Sequence, residues 1–485
     1  MKQFIGRKAE LEQLSRLIKH QESDLVVIRG RRRIGKSRLV EEFAKEKFYL
    51  PFFGIIPSKD TTAQSERDIF ASQLSKHFEL PRLSFVDWFD AFEQLSDSIK
   101  SANPQKPIII LFDEISWMGS KDSTFVPKLK LWWDRITAIS QKHPKIILIL
   151  CGSVSTWVED NVINSTALFG RISALFNLTD LNLPESKQFL IAKGMKCSTM
   201  ECLKILSVTG GVPWYLERIE PNITIDENIK QLCFQANGAF VGEYDRIFHD
   251  LFNDKGTIYK KILDRLGQGI CDLSEIRDDL AYSHSGTLSQ YLKHLIIAGF
   301  VSKHANWSFK TEKTGKRSLY RLSDNYLRFY IKYMEPNLEK IRTNTYQDLR
   351  LSQLPNWETI MGIQVENLLL NNRQALIQAL GLTSSDIVAD NPYIQKRTTK
   401  TKGCQIDYLV QTRVKTLYVC EFKFRKKELG LEIIESMQDK LSRFSTPKGF
   451  AVVPVLVHAG GVQESVDEQN YFYRIIDIED FFAIL

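Results

Sequence analysis

Asp24-Leu-Val-Val-Ile-Arg-Gly30-Arg-Arg-Arg-Ile-Gly35-Lys36-Ser37 decides the fold of the N-terminal part of this 485-residue chain. The run 24–29 reads as a buried strand. Ser37 to Lys47 reads as a helix with Leu39, Val40, Phe43 and Ala44 on one face. The loop between them fits G-x-x-x-x-G-K-[ST]. Gly30 and Gly35 let backbone N–H groups turn inward around phosphates, Lys36 neutralises the β and γ phosphates, and the Ser37 hydroxyl binds Mg²⁺. The positive N-terminus of the following helix points at the same anion.

Working outward, Pro107 to Phe112 and Lys145 to Leu150 read as further strands. Their unbroken Ile/Leu/Val runs imply burial on both faces, hence a parallel sheet covered by helices. The first of them ends in Asp113-Glu114. Asp113 is read as holding the metal and Glu114 as the general base for the attacking water, against the alternative of two acids capping a strand. The second ends in Cys151-Gly152-Ser153, where Ser153 can meet the γ-phosphate or the water, or simply turn the chain. Arg171, in Leu168-Phe-Gly170-Arg171, either stabilises transition-state charge, in trans or in cis, or pairs with structural carboxylates.

Composition is that of an ordinary globular protein, with 43% hydrophobic and 25% charged residues. Collagen-like, mucin-like and wholly disordered classes are excluded. The longest apolar runs are strand-sized, short of the ~18 residues that span a bilayer. With no signal-peptide pattern at Met1-Lys-Gln-Phe-Ile-Gly6, the expected location is the cytoplasm, with no membrane partner. Seven cysteines, at 151, 197, 202, 233, 271, 404 and 420, have no framework spacing and no C-x-x-C pair, which argues against a disulfide scaffold and a thiolate zinc site. The net charge of +7 allows a nucleic-acid partner without demanding one.

Together, Phe4-Ile5-Gly6-Arg7-Lys-Ala-Glu10-Leu11, the Gly30–Ser37 loop, Leu111-Phe-Asp113-Glu114, Cys151-Gly-Ser153, Leu168-Phe-Gly-Arg171 and Thr209-Gly-Gly-Val-Pro213 make residues 1–330 resemble the archaeal-type AAA+/STAND-like ATPases. The resemblance implies an adenine pocket around Ile5, Gly6 and Arg7, a lid that begins at Gly211-Val212-Pro213, and Arg218 as the candidate lid arginine. Arg33, in the arginine run of the loop, and Arg38 beside it complete the expected nucleotide contacts. The implied cofactors are ATP and Mg²⁺.

Further along, Ile258–Leu266, Leu273–Leu280 and Gly286–Ala298 read as three helices. A strand, a charged turn and a second strand, Ser318–Leu322, follow. This is a helix-turn-helix with a wing. Gln290, Lys293 and His294 would face base edges, and Lys303, Lys310, Lys313, Lys316 and Arg317 would meet phosphates. The alternative is a packing module that senses nucleotide state.

In the last ~130 residues, Asp407 and Glu421 lie on two successive strands that would form a hairpin, and Lys423 shares a strand face with Glu421. Two acids and a lysine suit metal-dependent phosphodiester hydrolysis. Glu366, on an upstream helix, can add a third acid, and a downstream helix from Ile433 to Phe444 carries Gln438 and Lys440. The constellation resembles the PD-(D/E)XK nuclease superfamily, with Ile406-Asp407 where that superfamily has Pro-Asp. The resemblance implies that Asp407 and Glu421 hold the metal and that Glu366 and Lys423 join them in catalysis. Residues 391–427 hold ten Lys/Arg (396, 397, 400, 402, 413, 415, 423, 425, 426 and 427) against the two acids, Asp407 and Glu421. Such an imbalance suits a nucleic-acid face, and DNA is expected before RNA.

The expected architecture is therefore α/β: a P-loop AAA+ core at 1–183, a helical lid at 184–250, a winged helix at 251–330, a helical connector at 331–354 and a restriction-endonuclease-like α/β domain at 355–485. The expected activity is ATP hydrolysis coupled to nucleic-acid engagement, with metal-dependent cleavage in the C-terminal domain. Two alternatives stay open: a nucleotide-driven signalling or scaffold switch with an inactive nuclease fold, and a DNA-dependent ATPase whose nuclease fold serves as a clamp. Homo-oligomerisation is open, and no protein partner can be named.

Overall fold

Alternate residues of the central N-terminal strands enter two separate cores. Leu25, Val27, Ile108, Ile110, Leu148 and Leu150 pack on one side, and Val26, Ile28, Ile109, Leu111, Ile147 and Ile149 on the other. Successive strand side chains point to opposite faces, so a sheet apolar on both faces must be covered on both. The computed structural model describes residues 3–56, 58, 60–139, 144–153, 156–252, 256–282, 285–305, 318–346, 350–397, 399, 402–425 and 427–483.

The chain divides into two compact units, residues 1–180 with 297–299, and residues 181–296 with 300–485. The first is built on strands β1 (Asp24–Gly30), β2 (Phe48–Phe53), β3 (Ile108–Asp113), β4 (Ile146–Ser153) and β5 (Ile172–Leu178). They are all parallel, in the order β2-β3-β4-β1-β5. The strand bounds shift from the sequence reading by up to three residues, and the helix after the glycine loop closes at Phe43. Strand β2 was not anticipated. It contains Pro51, which cannot donate to a ladder and is tolerated because β2 is an edge strand.

The second unit opens with helices, among them Leu183–Ala192, Thr199–Thr209, Pro213–Leu216 and Ile225–Cys233. Gly211 is required by close approach, since a Cβ there would lie 1.9 Å from the Leu181 carbonyl oxygen. Helices Gly256–Gln268, Leu273–Asp279 and Ser285–Ile297 then precede a small sheet of β6 (Cys271–Asp272), β7 (Val301–Ala305) and β8 (Ser318–Leu322), ordered β6-β8-β7. β7 and β8 are antiparallel. Lys310, Lys313, Lys316 and Arg317, read as wing contacts, lie outside the described residues.

The helical connector expected at 331–354 packs within the second unit: Tyr333 and Met334 are buried, and Tyr333 packs against Trp357. Cys197 and Cys202 form an isolated disulfide that closes a short loop, and the other five cysteines are free.

Strands β9 (Ile387–Gln395), β10 (Cys404–Thr412), β11 (Thr416–Phe424), β12 (Ala451–Ala459) and β13 (Arg474–Asp477) form the C-terminal sheet, ordered β13-β12-β11-β10-β9. The β9–β10 and β10–β11 pairs are antiparallel, while β11, β12 and β13 are parallel. Helix Glu432–Arg443 covers one face through Ile433, Ile434 and Met437. Helix Trp357–Asn371 is bound by side-chain hydrogen bonds to the rest of the unit. Gln364 Nε2 donates to the carbonyls of Ser207 and Asn325, each at 2.8 Å, and Asn325 Nδ2 donates to the Ser207 carbonyl at 2.6 Å.

Candidate active site

Parallel register brings the C-terminal ends of β1, β3 and β4 together, with Gly30 opposite Ser153 and Asp113 at the end of β3. Ligands of open α/β sheets bind at this edge. Gly30 approaches β5 so closely that a Cβ would lie 2.7 Å from the Leu178 carbonyl. Gly35, at φ 91°, turns the loop into helix Lys36–Phe43. Arg33 also has a left-handed backbone, φ 70°. Lys36 Nζ folds back over the loop and donates to the carbonyls of Gly30 at 3.1 Å and Arg31 at 3.2 Å. Those bonds make a cradle that a phosphate can take over.

Ser37 Oγ donates to Asp113 Oδ2 at 2.5 Å. Burial raises the Asp113 carboxyl above its ordinary range, with the Ser37 hydrogen bond opposing. A half-buried hydroxyl beside a buried carboxylate is the oxygen donor set a hard divalent cation takes. Glu114 has a left-handed backbone, φ 54°, as it caps helix Ile115–Gly119. The Ser153 hydroxyl lies 3.3 Å from both of its carboxylate oxygens. Glu114 and Ser153, named separately from two strand ends, are thus hydrogen-bonded neighbours.

Ile5 and Gly6 precede Arg7, which is buried. Arg7 donates to the carbonyls of Ile34 at 3.2 Å and Thr179 at 2.5 Å, so this segment is fastened to the glycine loop. Arg31, which the sequence reading left without a role, is buried and pairs with Asp180 at 3.0 Å. Arg38 pairs with Glu41 on the outer turn of its helix at 3.0 Å. Arg171 grips Asp134 with Nε at 2.6 Å and Nη2 at 2.9 Å. That grip lowers the Asp134 carboxyl to about 2. Pro213 begins its helix in the second unit, and the Arg218 guanidinium lies over the Trp214 ring at 4.1 Å.

In the C-terminal sheet, Tyr408 is paired with Cys420, which brings Asp407 and Glu421 side by side. Asp407 Oδ2 accepts from the Phe422 amide at 2.9 Å. Glu421 Oε1 receives Lys423 Nζ at 2.6 Å, and its Oε2 receives Lys440 Nζ. Burial and the Glu421 charge raise the Asp407 carboxyl. Burial also raises Glu366, whose charge is repelled by Asp407 and attracted by Arg328, Arg321 and Lys440. Sequence reading had noted Lys440 without giving it a role. Its position three residues beyond the buried Met437 and seven beyond Ile433 was the available signal, because that spacing belongs to the core-facing stripe. Arg321 and Arg328 carried no such signal.

The expected phosphate contacts are redistributed. Lys396 pairs with Glu275 at 2.6 Å, and Arg425 reaches Glu432 at 3.8 Å. Arg413 and Lys415 lie in the β10–β11 turn, at the far end from Arg397, Lys402 and Lys427. Lys400 and Lys426 lie outside the described residues. On helix Ser285–Ile297, the His294 ring is hydrogen-bonded to Tyr259 at 2.6 Å rather than offered to a base, while Gln290 and Lys293 are exposed. Among the described residues no helix is long and apolar enough to cross a membrane, and no group of three or more His, Cys, Asp or Glu side chains is arranged to hold a metal ion.

With this geometry in hand, the chain can be compared with known proteins. Residues 4–219 match the family described as an ATPase domain predominantly from Archaea. An uncharacterized protein of Methanocaldococcus jannaschii is 26% identical over 346 residues, 71% of each chain. An uncharacterized ATP-binding protein of the same organism is 41% identical over 44 residues, 9% of this chain and 75% of that one. Among solved structures, a Walker-type ATPase of Pyrococcus abyssi aligns with a TM-score of 0.50 at 17% identity, covering 68% of this chain and 96% of that one. Residues 4–219 therefore carry an archaeal-type ATPase domain on a P-loop fold.

Proposed function

We propose that the first unit binds and hydrolyses ATP and that the state of its nucleotide governs engagement of nucleic acid by the second. The observation that carries the first half is the gathering of Lys36, Ser37, Asp113, Glu114 and Ser153 at one sheet edge. Lys36 exchanges the Gly30 and Arg31 carbonyls for the β and γ phosphates. Ser37 and Asp113 are the residues that would hold Mg²⁺, which would neutralise charge developing on the phosphates. Glu114 takes the proton of the attacking water, and Ser153 holds the Glu114 carboxylate in place until nucleotide arrives. Ile5, Gly6 and Arg7 receive the base, Arg33 and Arg38 flank the phosphates, and Pro213 begins the lid.

The second half rests on the three-helix and hairpin segment read as a winged helix, and on the nuclease-like order Glu366, Asp407, Glu421, Lys423. Arg397, Lys402, Arg425 and Lys427 gather near the acid end of the hairpin, which favours a phosphodiester backbone as ligand. A second reading, in which this sheet grips nucleic acid without cutting it, is favoured by one observation: Lys440 spans the two acids where cleavage would need a metal. ATP turnover measured with and without duplex DNA tests the coupling, and stimulation by DNA is the expected result. Turnover indifferent to DNA and RNA would leave a nucleotide switch acting on protein partners.

A further inference from the structure

The acidic pair of the C-terminal sheet is already supplied with positive charge. Glu421 is 3% exposed. Lys423 occupies one of its oxygens and Lys440 the other. Lys440 Nζ also faces Asp407 Oδ1 at 3.8 Å, and the second Asp407 oxygen is taken by the Phe422 amide. Every carboxylate oxygen of the pair therefore faces a donor. The two acids and two lysines sum to zero charge before any ion enters, and Arg321 and Arg328 stand against the third acid, Glu366.

Lys440 is not a surface side chain that happens to swing inward. Its helix is pinned by Ile433, Ile434 and Met437 in the sheet's core, and its own side chain is 14% exposed. Its ammonium meets Glu421 Oε2 and faces Asp407 Oδ1. A divalent cation would have to lie against this ammonium in a poorly solvated place, where like charges repel strongly. As arranged, the site does not fit a metal.

We propose that Lys440 is the resident counter-cation of Asp407 and Glu421 and closes this site to divalent metal ions. The inference rests on the nuclease-like reading for its choice of metal and not on nucleic-acid binding. Nucleotide-free full-length protein is titrated with Mn²⁺ alone, and the free ion is followed by electron paramagnetic resonance. The wild type is expected to bind no ion that depends on Glu421. Lys440→Met is expected to bind one additional Mn²⁺ per chain, at least about tenfold more tightly than wild type, as removal of an adjacent positive charge requires. Adding Glu421→Gln to that variant should abolish the gain, and Lys440→Arg should restore exclusion. Circular dichroism and melting curves verify folding, and Lys440→Gln replaces the Met variant should that one fail to fold. Equal Mn²⁺ affinity in wild type and a folded Lys440 variant would overturn the proposal, as would a tight wild-type site lost in Glu421→Gln. DNA binding by fluorescence anisotropy, on the same wild-type sample, reads the nucleic-acid proposal separately.

Discussion

Ser37 and Asp113 come from different ends of the nucleotide site, the first turn of a helix and the last residue of β3, yet their side chains are joined by a 2.5 Å hydrogen bond. The hydroxyl and the carboxylate present two oxygens to one point. Asp113→Asn should keep the hydrogen-bonding shape and remove the charge proposed to hold Mg²⁺. ATP affinity should then become nearly independent of Mg²⁺, which isothermal titration with and without the ion would read. An undiminished Mg²⁺ effect would move the metal role away from Asp113.

Glu114 is bound by Ser153 and caps a helix from a left-handed backbone. Glu114→Gln preserves size and the contact with the Ser153 hydroxyl. It should bind ATP normally and lose turnover by roughly 10²- to 10⁴-fold, the range for loss of a general base. Full turnover in this variant would require another base.

Arg171 is committed to Asp134 through two hydrogen bonds. Action on a second copy's nucleotide requires that pair to open on assembly. Specific ATPase activity should therefore rise with protein concentration. Arg171→Ala should then keep ATP binding and lose turnover on the order of 10³-fold, the range for a transition-state arginine. Concentration-independent turnover with Arg171→Ala fully active would assign Arg171 to the Asp134 pair alone.

His304 provides a pH signature of the second unit. Its Nδ1 faces Asn391 Oδ1 at 2.8 Å, and its Nε2 accepts from Arg321 Nε at 3.4 Å. A second ring proton would point at the guanidinium. Burial first, then the Arg321 charge, lower the ring to about 4 from 6.5. Because the folded state favours the neutral ring, this stabilisation is complete above pH 6.5 and is lost as pH falls through 4. Its upper bound is about 3 kcal/mol. Melting temperature should fall more steeply between pH 6.5 and 4 in the wild type than in His304→Gln, and equal slopes would remove His304 as the cause.

How much of this was legible in the sequence follows from how local each signal is. The Gly30–Ser37 loop is contiguous, and β1, β3, β4, β10 and β11 carry long apolar runs because they lie inside their sheets. The strands that escaped, β2, β6, β9 and β13, are all edges. Two of them contain proline, Pro51 and Pro392, which an edge tolerates, while Pro454 of the interior strand β12 sits just before its pairing with β13 begins at Val455. The hairpin that joins Asp407 to Glu421 could be read because the two strands are consecutive. Lys440 could not be paired with Glu421, since their contact exists only once the helix has docked on the sheet. The stretch 331–354 looked polar enough for a connector because a Tyr can bury its ring and direct its hydroxyl to a carbonyl, as Tyr333 does to Pro355 at 3.1 Å.

The nucleotide affinity of Lys36→Ala tests the central claim most directly. In the structure Lys36 Nζ is the cation already folded over the Gly30–Ser37 loop, held only by two backbone carbonyls. Removing its charge-assisted contacts to phosphate should cost about 2–3 kcal/mol or more. Equilibrium binding of a fluorescent ATP analogue should therefore weaken by at least about 30-fold, with the variant still folded by circular dichroism. Wild-type affinity in folded Lys36→Ala would contradict the assignment of this loop as the ATP site.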